Sequence, residues 1–336
     1  MHAQGGNNAP VSASQPASAS GPLRVVLLLP LDNPLLRRAA ITVRDAANAV
    51  FAGRKTGISV SQCAYGSDET VSGVVAAYNR CVNTGTDWVI GPLGRVDVSL
   101  LALAKLPVSR PTLMLSSLGG VPPQPMAVLT PDLEAEAELV ARQAVEDACR
   151  KPLLLEAGGA IAARVSITIS SYWQGRINTP LITHVLGARD GWRRSTDNWR
   201  REAIDCVLFA GGGAVLAELR PYLRNMAIYA TSATFEAALD RTTDWTGVRV
   251  ADAPWIIDPD RADFAPYAAP EGMSPTLSRL YALGLDAARL VAAAGRDTLP
   301  TEFDGAIGQL TLTDAQYRRL PMMGEFRERT LVRLGR

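Results

Sequence analysis

Short, unbroken apolar runs alternate along this chain with longer stretches in which apolar residues recur at every third or fourth position. The first kind reads as strands buried on both faces, the second as amphipathic helices. Residues 23–30 (LRVVLLLP) give the first strand, and the helix after it, 35–52, carries Ala39, Val43, Ala46, Ala47 and Val50 on one face. Strand 57–64 and helix 69–83 repeat the unit, the helix opening at a capped start, Gly66-Ser67-Asp68. Strand 87–90 then breaks at Gly91-Pro92, a helix spans 99–106, and strand 112–115 ends at Ser116-Ser117. Thr130-Pro131-Asp132 supplies a cap and a first-turn proline for a helix over 134–149.

A second set begins with strand 152–155, the turn Gly158-Gly159 and helix 161–174. Strands 181–186, 206–210, 227–231 and 248–251 follow, and Trp255 and Asp258-Pro259 close this half. A long apolar helix over 275–294 comes too late to belong simply to it, and 308–312 and 325–332 read as strands. Strand–helix repetition of this kind predicts an α/β fold of two doubly wound lobes. The expected division is a disordered tether over 1–22, a first lobe of 23–128 plus 258–297, and a second of 129–257 plus 298–336.

Composition narrows the function. A chain of 336 residues suggests two domains of ordinary size, and 47% hydrophobic with 20% charged residues can bury a core in each. A net charge of +1 gives no field that would draw the protein onto nucleic acid or an acidic membrane. An aromatic content of 6% disfavours an aromatic-lined sugar or base platform. No apolar run approaches the roughly 20 residues that a spanning helix needs. The first 22 residues, rich in Ala, Ser, Gly, Asn, Gln and Pro, cannot bury a core. They fit either the linker behind a lipidated cysteine or an ordinary disordered terminus.

Cys63, Cys81, Cys149 and Cys206 lack the close spacing of a zinc or redox pair. Cys149 and Cys206 flank what are expected to be neighbouring strands, so a bridge between them is feasible. Cys63 is expected near the top of its strand and Cys81 near the bottom of the returning helix. At about 1.5 Å per helical residue that pair would lie over ~10 Å apart. Four free thiols remain the alternative.

Catalytic chemistry is sparse. The histidines are His2, in the tether, and His184, inside a strand and read as structural. Gly211-Gly212-Gly213 lacks the Lys-Ser/Thr of a phosphate loop and reads as a tight turn. Ser116-Ser117 has no base in its own segment. No catalytic residue, metal site or cofactor is expected. Binding is better supported, because loops at the carboxyl ends of strands form the ligand crevice of open α/β sheets. The candidate cleft residues are Leu31, Asp32, Leu93, Gly94, Ser116 and Ser117 on the first lobe, and Gly158, Gly159, Ser232 and Trp255 on the second. Their hydroxyls and amides suit a carboxylate or another small polar group. Trp192, Arg193, Arg194, Trp199, Arg200 and Arg201 form a basic aromatic helix, a candidate partner surface because Arg and Trp are enriched where proteins dock. The bland reading is a solvated charged face over buried tryptophans.

Six motifs in order, VLLLPL (26–31), VIGPL (89–93), IYATS (228–232), DAPWIIDP (252–259), LYALGLD (280–286) and FDGAIGQLTL (303–312), resemble the LpoA/YraM/LppC lipoproteins. These are outer-membrane-anchored activators of class A penicillin-binding proteins, built on the type I periplasmic-binding-protein fold with three crossovers between lobes. The resemblance implies a non-enzymatic regulator on the periplasmic face of the outer membrane that contacts a class A penicillin-binding protein. Membrane contact is expected only through an N-terminal lipid anchor that this chain lacks. Better-known members place a helical tetratricopeptide-like domain ahead of the module, where only the short tether stands here. The competing expectation is a periplasmic solute receptor closing on an amino-acid-type ligand.

Overall fold

The computed structural model describes residues 21–53, 57–66, 72–187, 191–223, 226–235 and 244–335. Apart from Gly21 and Pro22, the expected tether lies outside them. In chain order the first elements are β1 (Leu23–Leu29), α1 (Arg37–Gly53), β2 (Ile58–Ala64), α2 (Ser72–Cys81), β3 (Trp88–Ile90), α3 (Arg95–Leu103), β4 (Thr112–Met114) and β5 (Met126–Val128). Next come α4 (Leu133–Glu146), β6 (Pro152–Glu156), α5 (Ala160–Arg176), β7 (Ile182–Val185), α6 (Trp192–Arg201), β8 (Cys206–Ala210), α7 (Gly213–Leu219), β9 (Ala227–Thr231) and β10 (Val248–Asp252). The chain ends with α8 (Pro254–Ile257), α9 (Pro275–Ala294), β11 (Glu302–Asp304), β12 (Gln309–Thr313), β13 (Gln316–Leu320), β14 (Met322–Arg327) and β15 (Thr330–Arg333).

Two sheets result, of eight strands in the order β11-β12-β13-β5-β4-β3-β1-β2 and seven in the order β15-β14-β10-β9-β8-β6-β7. The chain passes between them after β5, after β10 and after β13, giving two doubly wound lobes and three crossovers, as expected. β1 shows why: its apolar residues from Val25 to Leu29 are buried on both faces. One face carries α1 and α9, the other α2 and α3. α4 and α5 cover one face of the second sheet, α6 and α7 the other. Close backbone approach fixes the centre of the first sheet. Gly91, at φ +114°, leaves no room for a side chain, since a Cβ there would lie 2.0 Å from the Leu28 carbonyl oxygen.

Several expectations are corrected. Residues 302–320, expected in the second lobe, form β11–β13 in the first sheet. They follow α9, which is docked on α1, and stay on that lobe as an antiparallel meander. The strand expected over 325–332 is a hairpin, β14–β15, turning at Glu328 with φ 58°. Both cysteine pairs are disulfides, with Cα–Cα distances of 6.0 Å for Cys149–Cys206 and 6.1 Å for Cys63–Cys81. The second pairing runs against expectation because it is the last turn of α2 that lies beside the end of β2. Arg80 there donates to the Ala64 carbonyl at 3.0 Å, which brings Cys81 level with Cys63.

Candidate functional site

On the first lobe, the ends of the neighbouring strands β4, β3 and β1 carry Ser116-Ser117, Leu93-Gly94 and Leu31-Asp32. The Asp32 amide donates to the Tyr65 carbonyl, and the Tyr65 hydroxyl donates to Asp97 at 3.1 Å under the start of α3. Burial lifts the Asp97 carboxyl above its ordinary range, with the Tyr65 hydrogen bond opposing. Gly94 packs tightly against this acid, since a Cβ would sit 2.4 Å from the Asp97 carboxylate and push that side chain aside. Leu93, expected in the cleft, is instead buried in the first-lobe core. On the second lobe Gly158 and Gly159 are exposed at φ +80° and +91°, and Gly159 caps α5. Trp255, also expected in the cleft, packs in the first-lobe core, 5.2 Å from the Phe264 ring and 5.7 Å from that of Tyr281.

Ser232 alone of these residues lines a cavity of about 250 Å³ between the lobes. Its amide is already used, donating to the Glu136 carboxylate at 2.8 Å. The wall of this cavity is a charged network that sequence reading did not find. Arg319 on β13 pairs with Glu136 on α4, with 1% and 2% of their side chains exposed. The same guanidinium donates to the Asp132 carbonyl at 2.7 Å and the Ile307 carbonyl at 3.0 Å. Alongside it, Arg279 on α9 grips Asp252 at the end of β10 at 2.6 and 2.8 Å, and reaches the Phe235 carbonyl at 3.3 Å. Burial pushes the Glu136 carboxyl upward and nearby Asp252 adds to the push, while Arg319 and the Ser232 hydrogen bond pull it down. Burial likewise raises Asp132 against the pull of Arg319.

A second network organises the motifs. Asp286, fully buried on α9, accepts from the Ala306 and Ile307 amides at 2.8 Å each and pairs with Arg289 at 3.2 Å. Burial outweighs these partners and raises its pKa from 3.8 to about 6. LYALGLD therefore clamps the turn of FDGAIG, while DAPWIIDP supplies the acid for Arg279. The legible signal was a lone acid inside an otherwise apolar helix. On the outer side of the crossovers a larger polar groove of about 1110 Å³ runs between Arg142 and Asp147 on one wall and Arg261 and Asp304 on the other.

In the candidate partner helix Trp192 and Trp199 are buried, while Arg193, Arg194, Arg200 and Arg201 face solvent beside Asp197 and Asn198. Arg200 is partly engaged, donating to the Tyr222 carbonyl at 3.1 Å. His184 stacks edge-on against Trp199 at 5.3 Å, a packing role. Gly211 and Gly213 make a close turn, with the Thr234 carbonyl 2.3 Å from a Cβ built at Gly213. Among the described residues one cluster has metal-ligand proximity, Cys149, Asp205 and Cys206, and both of its sulfurs are tied in a disulfide.

The interlocking motifs fall in the stretch that identifies relatives. Residues 182–317 match the sequence profile of the LppC lipoprotein family. The penicillin-binding protein activator LpoA of Haemophilus influenzae is 29% identical over 168 residues, which is 47% of this chain and 29% of that protein. The C-domain of LpoA (YraM) from Haemophilus influenzae, a regulator of PBP1A, superposes with a TM-score of 0.73 at 22% identity, over 93% of this chain and 100% of that one. The chain is thus similar to the LpoA/LppC proteins in sequence over part of its length and in fold over most of it. The matched stretch spans less than a third of the curated LpoA relative, 29% of its length. The chain is also similar to a Chromobacterium violaceum structure described as a branched-chain amino acid ABC transporter. That structure has a TM-score of 0.78 and 27% identity, over 90% of this chain and 100% of that one. The fold is thus that of the periplasmic binding proteins, and no described helix is long and apolar enough to cross a membrane.

Proposed function

We propose that this chain is a non-enzymatic regulator that binds a class A penicillin-binding protein at the periplasmic face of the outer membrane and raises its cross-linking activity. Similarity to the LppC lipoproteins over residues 182–317 and to the penicillin-binding protein activator LpoA of Haemophilus influenzae supports that reading. Anchoring through a lipid at the N-terminus and a role in peptidoglycan synthesis and cell shape follow from the same kinship. Regulation of this kind requires tighter binding to the active state of the synthase than to its resting state.

One observation favours the regulator over a solute receptor of the amino-acid type. The arginines lining the interlobe cavity, Arg164, Arg279 and Arg319, each already face a carboxylate of the chain itself. Ser116-Ser117 and Gly158-Gly159, at strand ends outside that cavity, are the groups we keep as candidates for a small polar ligand. The deciding experiment adds the purified protein to a class A penicillin-binding protein polymerising its lipid-linked precursor. The expected result is a rise in the cross-linked fraction, and an unchanged fraction at saturating protein overturns the reading. Calorimetry against amino acids, peptides and muropeptides tests the receptor, which predicts micromolar binding.

A further inference from the structure

Lobes joined only by crossover segments are free to move about them unless the interface between them is extensive. Here the seam is closed by charge. Arg319 and Arg279 both come from first-lobe elements, β13 and α9, and both of their acids come from the second lobe. Glu136 lies just after the first crossover and Asp252 just before the second, so the pairs bracket the hinge segments themselves. The four side chains are 1%, 2%, 1% and 13% exposed for Arg319, Glu136, Asp252 and Arg279.

We propose that the Arg319–Glu136 and Arg279–Asp252 pairs lock the two lobes at a fixed angle, so that this module presents one rigid two-lobed surface and does not close around a ligand. Rotation about the crossovers separates each guanidinium from its carboxylate while both are still shielded from water. Leaving one such charge buried and unpaired lowers the population of the rotated state by a factor on the order of a hundred to a thousand. Inverting a 1:99 equilibrium already needs about 10⁴-fold tighter binding to the favoured state. A closing ligand would have to exceed that, from a cavity of about 250 Å³ whose other walls include Leu133, Ile161, Ala253, Leu280 and Ile307. The lock does not depend on the identity of the partner.

Spin labels report the angle directly. Leu103 on the first lobe and Ile167 on the second are 85% and 65% exposed, and Leu103→Cys with Ile167→Cys places one label on each lobe. In the otherwise unaltered protein, with its disulfides intact, the expected result is a single narrow interlobe distance, unmoved by saturating leucine. The same labels with Glu136→Gln and Asp252→Asn are expected to give a distribution at least twice as wide. A broad or two-peaked distribution in the unaltered protein, or a shift on adding leucine, overturns the lock. So does a folded double variant as narrow as its parent. Should that variant fail to fold, the measurement on the unaltered protein decides alone. A narrow distribution beside unchanged synthase activity would leave the lock standing and remove the proposed function.

Discussion

Arg319 and Glu136, one on a strand of the first sheet and one on a helix of the second lobe, form an ion pair almost wholly shielded from solvent. Breaking such a pair from one side leaves a bare buried charge, which costs about 3–5 kcal/mol. Glu136→Gln and Arg319→Met should each lower the unfolding free energy obtained from urea titration by that amount. The double replacement by apolar residues should recover much of the loss, so a double-mutant cycle giving additive losses would contradict the pairing.

Asp286 makes the stability of the protein pH-dependent in a definite direction. Its folded pKa, about 6, lies above the ordinary 3.8, so the folded chain holds this proton more tightly than the unfolded chain. Stability from this group is therefore greatest below pH ~4, falls as pH rises to about 6, and is level above that, a loss of about 3 kcal/mol. Asp286→Asn should flatten this part of the profile whatever its effect at neutral pH. Parallel slopes for the two proteins between pH 4 and 6 would refute the assignment.

The two disulfides close loops of different size, with sequence separations of 18 for Cys63–Cys81 and 57 for Cys149–Cys206. On chain entropy, the shorter contributes about 3 kcal/mol and the longer about 4 kcal/mol. Cys206→Ala with Cys149→Ala should thus cost more than removing the other pair. Thermal unfolding of each double variant, with and without reductant, checks the order.

Gly284 is the contact point of α9 with α1. A Cβ there would meet the Val43 carbonyl oxygen at 2.6 Å and the Ala46 side chain at 2.9 Å. Gly284→Ala should force the helices apart at a cost of about 1–3 kcal/mol, although alanine is the better helix former. An unchanged melting temperature would show that the helices can slide freely.

Thr231, at the end of β9, is buried, and its hydroxyl has no hydrogen-bond partner among the described residues. Thr231→Val keeps the shape and removes the unsatisfied oxygen, so it should stabilise the fold by about 1 kcal/mol. A lower unfolding midpoint would point to a partner, such as a bound water.

Long apolar patterns carried the architecture. Helix α9 was legible to the residue because a serine cap, a first-turn proline and a terminal glycine frame twenty residues of mostly apolar sequence. β5, three residues after a proline-rich loop, and β13, with the polar run Gln316-Tyr317-Arg318-Arg319-Leu320, were not legible. Their strand character comes from pairing with distant partners. The charged seam was hidden for a related reason. Arg319 and Glu136 lie 183 positions apart, and each in its own segment looks like an ordinary surface charge. Ser232 lies at the cavity, a strand-end position that was legible because it is set by the local strand pattern. Leu93 and Trp255 were misplaced because a strand-end position does not say whether its side chain turns outward or back into the core.

The threefold passage of the chain between sheets also governs when the protein can become whole. β13 adds to the first sheet and β14 to the second only beyond residue 315. A nascent chain halted after residue 257 therefore carries two unfinished halves and no completed one. Both lobes must mature together, with their edges open until β13 and β14 arrive.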